Sequence, residues 1–137
     1  MKCVFCDIVQ KTAKAEILFE DEKIISFLDI NPFNVGHSLV IPKTHYENFL
    51  EVPSDIFGEM FVVVQQLTKG VVTGLNADGY NILSNNGRAA GQSVFHCHFH
   101  IIPRFTTDGY KFKMDLKKYG NGEMNMIAEK IKSAIPF

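Results

Sequence analysis

Three histidines recur at every second position in FHCHFHIIP, residues 95–103, as His96, His98 and His100. On an extended chain alternate side chains leave opposite faces, so the three imidazoles would line one face while Cys97, Phe99 and Ile101 line the other. Each large polar ring needs a hydrogen-bond partner or a metal wherever it is buried, so three neighbours on one face mark a site rather than an ordinary core. A neutral imidazole can attack an electrophile at neutral pH without first losing a proton. Phosphorus suits it, because a ring nitrogen can form a transient phosphoramidate that water later cleaves, given in-line geometry and neutralised equatorial oxygens.

Other residues with reactive chemistry lie apart in sequence. Cys3 and Cys6 form a CxxC pair, which together with two imidazoles could make a tetrahedral zinc site, could act alone as a redox pair, or could do neither. His37 and His45 flank SLVIP at 38–42. If that stretch is a strand, the two histidines sit near its opposite ends and serve different purposes, one at a metal and the other at a reaction centre. Gly91, Gln92 and Ser93 lie on a polar loop beside the histidine strand, where backbone and side-chain donors could hold a phosphate, and Asn85 could add another. No phosphate-binding P-loop, dinucleotide fingerprint or carboxylate metal cage is present, which sets ATPase, dehydrogenase and two-metal nuclease chemistry aside.

The elements that must position these groups follow from pattern. Residues 16–30, EILFEDEKIISFLDI, predict two short strands around a polar EDEK turn, and SLVIP predicts a third ended by Pro42. After Pro53, with Ser54 as the expected cap, Ile56, Met60, Val63, Val64, Leu67 and Val71 recur at three and four residues, which predicts one long helix buried against a sheet and stopped near Gly74. YNILS at 80–84 and VFHCHFHIIPR at 94–104 predict the fourth and fifth strands, Cys3–Ile8 a turn or a first helical turn, and 125–135 a short final helix. Antiparallel strands with a helix packed across them give an α+β domain.

Length and composition set the frame. The 137 residues suit one domain, 1–137, and the 46% hydrophobic content argues against disorder. A formal net charge of −1 offers no bulk attraction for nucleic acid or an anionic membrane. No apolar run approaches a membrane span, and the N-terminus lacks a signal-peptide pattern, so a cytoplasmic protein is expected. An odd cysteine count argues against a disulfide framework.

CVFCDIV at 3–9, FLDINPFNVGHSLVIPKTH at 27–45 and NNGRAAGQSVFHCHFHIIPR at 85–104, the last containing HCHFHII, resemble segments of the histidine triad (HIT) family in the family's order. They extend over about the first three quarters of the chain. The resemblance implies a HIT-like α+β fold with an antiparallel sheet of about five strands, one long packed helix and a short C-terminal helix, and a homodimer whose sheets continue across the interface. It implies a nucleotide hydrolase or nucleotidyl transferase working through a nucleotidyl-histidine: His98 as nucleophile, His100 at the phosphate or leaving group, and His37 supporting the active imidazole. Gln92, Ser93 and Asn85 match residues around the phosphate, Asp29 the carboxylate that receives the ribose, and Phe5, Ile8, Phe27 and Ile30 the apolar walls around a base. In cysteine-bearing branches a structural zinc is held by positions matching Cys3, Cys6, His45 and His96, which leaves Cys97 to packing. No obligate catalytic magnesium is implied.

The function expected is that of a purine nucleoside phosphoramidase releasing a nucleoside monophosphate. A dinucleoside polyphosphate hydrolase, or a nucleotide-binding regulator with little turnover, is the alternative. Purine preference follows from the resemblance alone, since Phe5 and Phe27 can stack on either class of base. The C-terminal segment, about 105–137, is expected to vary; its Tyr110, Lys111, Lys113, Lys117 and Lys118 either select the leaving group or form a solvated face.

Overall fold

The computed structural model describes residues 2–137. A six-residue helix α1 (Val4–Val9) precedes strands β1 (Ile17–Glu20), β2 (Ile24–Leu28) and β3 (Ser38–Pro42), then the long helix α2 (Ser54–Leu75), strands β4 (Gly79–Leu83) and β5 (Phe99–Arg104), and helix α3 (Glu123–Ala134). The five strands form one antiparallel sheet in the order β1-β2-β3-β5-β4. This is the expected α+β HIT-like architecture, with five antiparallel strands, one long helix and a short C-terminal one.

Strand alternation sorts the core into two layers. On one face Ile24, Val40, Phe99 and Ile101 pack with Cys97 against Met60, Val64 and Val71 of α2. On the other, Ile25, Phe27, Leu39 and Ile41 pack against Phe5 and Ile8 of α1. The stripe expected along α2 is the buried one, Ile56, Val63 and Leu67 being partly covered beside it. Thr68 shares that face because its hydroxyl donates to the Val64 carbonyl at 2.7 Å and leaves no bare polar group.

Turn chemistry explains the boundaries, with small departures. The Asp21 carboxylate accepts from the amides of Lys23 and Ile24 at 2.8 and 2.7 Å, closing the β1–β2 turn. Ser54 is not the cap of α2: the helix starts on it, Pro53 takes the cap position, and no side chain caps the end. The helix passes Gly74 and stops one residue later, where Asn76 turns left-handed at φ 53° and its amide bonds the Val72 carbonyl.

The fifth strand is shorter than 94–104. Its pairing with β3 begins at Phe99↔Val40, and continuing it towards the N-terminus would set the chain against Pro42, which has no amide hydrogen to give. Residues 96–98 place their polar groups elsewhere. The Cys97 amide donates to the Tyr46 carbonyl at 2.7 Å. The alternation nevertheless persists without the ladder: Cys97 points to the α2 layer, while Phe5 lies edge-on to both His96 and His98 on the opposite face.

Among the described residues, no helix is long and apolar enough to cross a membrane. Helix α3 has no buried residue.

Candidate functional site

The α1 face of the sheet carries two centres, joined by the 96–100 segment. In the first, residues more than 90 positions apart converge. His96 is fully buried and its Nε2–H donates to the Pro42 carbonyl at 2.7 Å. A carbonyl only accepts, so His96 Nδ1 is left as a bare lone pair. That nitrogen lies 3.6 Å from both Cys3 Sγ and Cys6 Sγ, and His45 Nδ1 lies 3.4 Å from Cys6 Sγ. All four ligand atoms fall within 4.8 Å of one another. Tetrahedral zinc, with bonds of about 2.3 Å to sulfur and about 2.0–2.1 Å to nitrogen, sets adjacent N and S atoms about 3.5 Å apart. Cys3, Cys6, His45 and His96 are therefore positioned to coordinate zinc, with the Pro42 carbonyl orienting one ligand from outside. Burial and the neighbouring Cys3 thiol raise Cys6 above its usual pKa, and burial lowers His96 to about 4. A divalent cation among them would stabilise the thiolates outright.

The second centre is a cavity of about 460 Å³. His98 Nδ1–H donates to the His96 carbonyl at 2.6 Å, which leaves His98 Nε2 as a lone pair. His98 lines the cavity. A relay runs beside it. The Phe33 amide donates to His37 Nδ1 at 3.1 Å, so the His37 proton sits on Nε2 and is donated to His100 Nδ1 at 2.9 Å. His100 is thereby fixed with its proton on Nε2. One imidazole thus offers an electron pair and its neighbour, 4.8 Å away between ring centres, offers an N–H hydrogen bond. Burial pushes all three rings below the usual imidazole pKa, His100 to about 4, so they are neutral at pH 7. Asp29 opposes that shift for each ring, its Oδ2 standing 3.7 Å from His37 Nε2.

Of the residues singled out from sequence, Phe5, Ile8, Phe27, Asp29, Ile30, Asn85 and Ser93 line this cavity together with His37, His98 and His100. Phe5 and Phe27 meet edge-to-face at 5.5 Å, whereas Ile30 is 86% exposed and stands at the rim. Gln92 is not among the lining residues. Its Oε1 accepts from the Gly87 amide at 2.8 Å and its Nε2 donates to the carbonyls of Glu47 and Val94 at 2.7 and 3.1 Å, so its whole amide is committed to tying the 87–94 loop down. His37 and His45 lie at opposite ends of β3 and serve the two different centres. Sequence reasoning missed Phe33, which stacks on His37 at 5.5 Å and 16°; its signal was an aromatic in a polar loop four residues before a histidine.

The profile of the HIT domain matches residues 10–107. An uncharacterised HIT-like protein of Methanocaldococcus jannaschii is 46% identical over 130 residues, 95% of this chain and 98% of that protein. The adenosine 5′-monophosphoramidase of Candida albicans is 42% identical over 106 residues, 74% of this chain and 70% of that one. A zinc-bound histidine triad family protein of Mycobacterium smegmatis, known as a crystal structure, is 40% identical and superposes with a TM-score of 0.77 over 98% of each chain. Cys3 and Cys6 precede the matched stretch, so it is the zinc-bound structure and the ligand geometry here that bear on the metal. With the triad, its supporting histidine and the sheet that carries them all in place, the chain belongs to the HIT family, nucleotide-handling enzymes built around a histidine triad.

Proposed function

We propose that the protein is a purine nucleoside phosphoramidase that works through a nucleotidyl-His98 intermediate. One observation carries the reading: the His96 carbonyl fixes the proton of His98 on Nδ1, so the bare Nε2 is the atom presented to the cavity. In the first step Nε2 bonds to the α-phosphorus and the P–N bond to the amine breaks; the amine takes its proton from solvent held at the His100 side, where the neutral ring's Nε2–H donates a hydrogen bond to the departing group. In the second, water attacks phosphorus and releases a proton to solvent, the P–N bond to His98 breaks with its electron pair returning to Nε2, and the nucleoside monophosphate leaves. The ring becomes positive while phosphorylated, and the two groups that favour a charged His98 are the His96 carbonyl and Asp29. Asp29 Oδ1 is held by the Asn31 amide at 2.8 Å, which leaves Oδ2 to meet ribose hydroxyls. Ser93 and Asn85 face the phosphate, Phe5, Ile8, Phe27 and Ile30 bound the base, and Gln92 shapes the phosphate loop from behind. Cys3, Cys6, His45 and His96 hold a structural zinc that stays outside the chemistry.

The adenosine 5′-monophosphoramidase of Candida albicans supports the choice of leaving group. Dinucleoside polyphosphate hydrolysis uses the same nucleophile and is the alternative, and a regulator that binds nucleotide with little turnover is another. Matched assays on adenosine 5′-phosphoramidate and a diadenosine polyphosphate decide. Faster AMP release from the phosphoramidate is expected; faster cleavage of the polyphosphate would select the alternative, and binding without turnover the regulator.

A homodimer belongs to the same reading. Strand β4 is a sheet edge, and its Tyr80 and Ile82 join Phe61 and Val62 of α2 as exposed apolar residues along a groove of about 740 Å³. An uncovered apolar edge invites pairing, and a second copy related by a two-fold axis would continue the sheet. Sedimentation should give a dimer that Ile82→Lys converts to monomer. A monomeric wild type at micromolar concentration would refute it. A cytoplasmic location suits Cys3, Cys6 and Cys97, none of which is in a disulfide.

A further inference from the structure

Resting on this reading of the triad, we infer that Asp108 and Asn34 are positioning residues for it, a latch that holds the loop before His37 so that the Phe33 amide sets the tautomers of His37 and His100.

The loop needs such a latch. From Asn31 to Val35 its side chains are exposed, apart from a half-buried Asn34, with Phe33 57% and Val35 81% accessible, so burial contributes little to its shape. Yet its backbone delivers two hydrogen bonds at His37: the Phe33 amide to Nδ1 at 3.1 Å, and the Asn34 carbonyl accepting from the His37 amide at 3.0 Å. The tautomer of the relay depends on the first. Without a donor at Nδ1, the His37 proton could sit there instead, and Nε2 would then have nothing to give His100.

Polar ties from the far end of β5 hold the loop. Asn34 Nδ2 donates to the Pro103 carbonyl at 2.9 Å and to Asp108 Oδ2 at 3.0 Å. Asp108 is itself rigidly held: Arg104 Nε meets Oδ2 at 2.9 Å and Arg104 Nη2 meets Oδ1 at 3.1 Å, while the amides of Phe105 and Tyr110 donate to Oδ2 and Oδ1 at 2.9 and 3.0 Å. The Arg104 guanidinium keeps the carboxyl ionised far below the usual carboxylate range. Arg104 is anchored in turn by Asn81 of β4 at 2.7 Å. The Tyr110 ring, under the Arg104 guanidinium at 4.8 Å, packs on Phe33 at 5.5 Å, and Phe33 stacks on His37. Gly36 seats the other end of the loop. It turns at φ +99°, and a Cβ there would meet the Leu75 side chain. Neither Asp108 nor Asn34 lines the cavity. They act on the reaction only through Phe33 and His37.

The test is Asn34→Ala, which removes both side-chain ties and leaves the Arg104–Asp108 pair in place, with Asp108→Asn as the second variant. Ring ¹⁵N shifts of wild-type protein should show His37 and His100 each protonated on Nε2 alone. In both variants His37 should become a mixture of tautomers, and kcat should fall about tenfold with a smaller change in KM. The double variant should fall by less than the two single effects combined, because both remove the shared Asn34–Asp108 contact. Unchanged ring nitrogens in folded Asn34→Ala would overturn the inference even if kcat fell, since the latch would then be merely structural. If the wild type turned over neither substrate, the ring spectra would still decide, so the latch and the phosphoramidase reading fail separately.

Discussion

Replacing His98 by asparagine is expected to lower turnover about 10⁴-fold or more while the protein stays folded. Asparagine keeps an amide donor within reach of the His96 carbonyl, which His98 Nδ1 holds at 2.6 Å, but has no nitrogen lone pair to give phosphorus. Alanine would abolish activity equally, and it would also leave that carbonyl buried and unpaired and remove the edge-to-face contact with Phe5 at 5.1 Å, a loss of about 1–3 kcal/mol. The two variants therefore separate chemistry from stability. Mixing wild type with substrate and quenching in base, where phosphoramidates survive, should reveal a nucleotidyl adduct on His98 by mass spectrometry. Turnover by His98→Asn within tenfold of wild type would remove His98 from the role of nucleophile.

Stripping zinc with a chelator should lower Tm by about 10–20 °C, a loss on the order of 3–5 kcal/mol for a chain of this size. The four ligands tie α1, the end of β3 and the segment before β5 together, and few other contacts hold α1: of its six residues only Phe5 and Ile8 are buried. Those two residues also line the cavity beside His98. Metal loss should thus raise KM as α1 loosens, and KM should recover when zinc is restored. Cys6→Ser should reproduce the effect in part. Purified protein with no stoichiometric zinc, and a Tm indifferent to chelator, would show that the cluster is not a metal site.

Much of this was legible in the chain. Period-two spacing put His96, His98 and His100 opposite Cys97 and Phe99, and that alternation survives even where the strand does not, because a locally extended chain alternates whether or not it is paired. The three-and-four spacing from Met60 to Val71 identified the buried face of α2. The position of SLVIP between His37 and His45 was enough to assign the two histidines to different centres.

What the chain did not reveal concerns partners rather than periods. Composition marked Gln92 as a donor near phosphate, but the direction of its amide depends on Glu47, 45 residues away, whose carbonyl reached it first. The early end of β5 was lost to Pro42, a residue of another strand. Nothing in TTDGY set Asp108 apart, since a carboxylate beside a glycine in a turn is ordinary; its weight comes from Asn34, 74 positions earlier. By itself the sequence determined which residues share a face, because side-chain direction follows from the local backbone. Only the tertiary structure decided which nitrogen of each imidazole carries its proton, because that depends on the carbonyl or amide another element brings within about 3 Å.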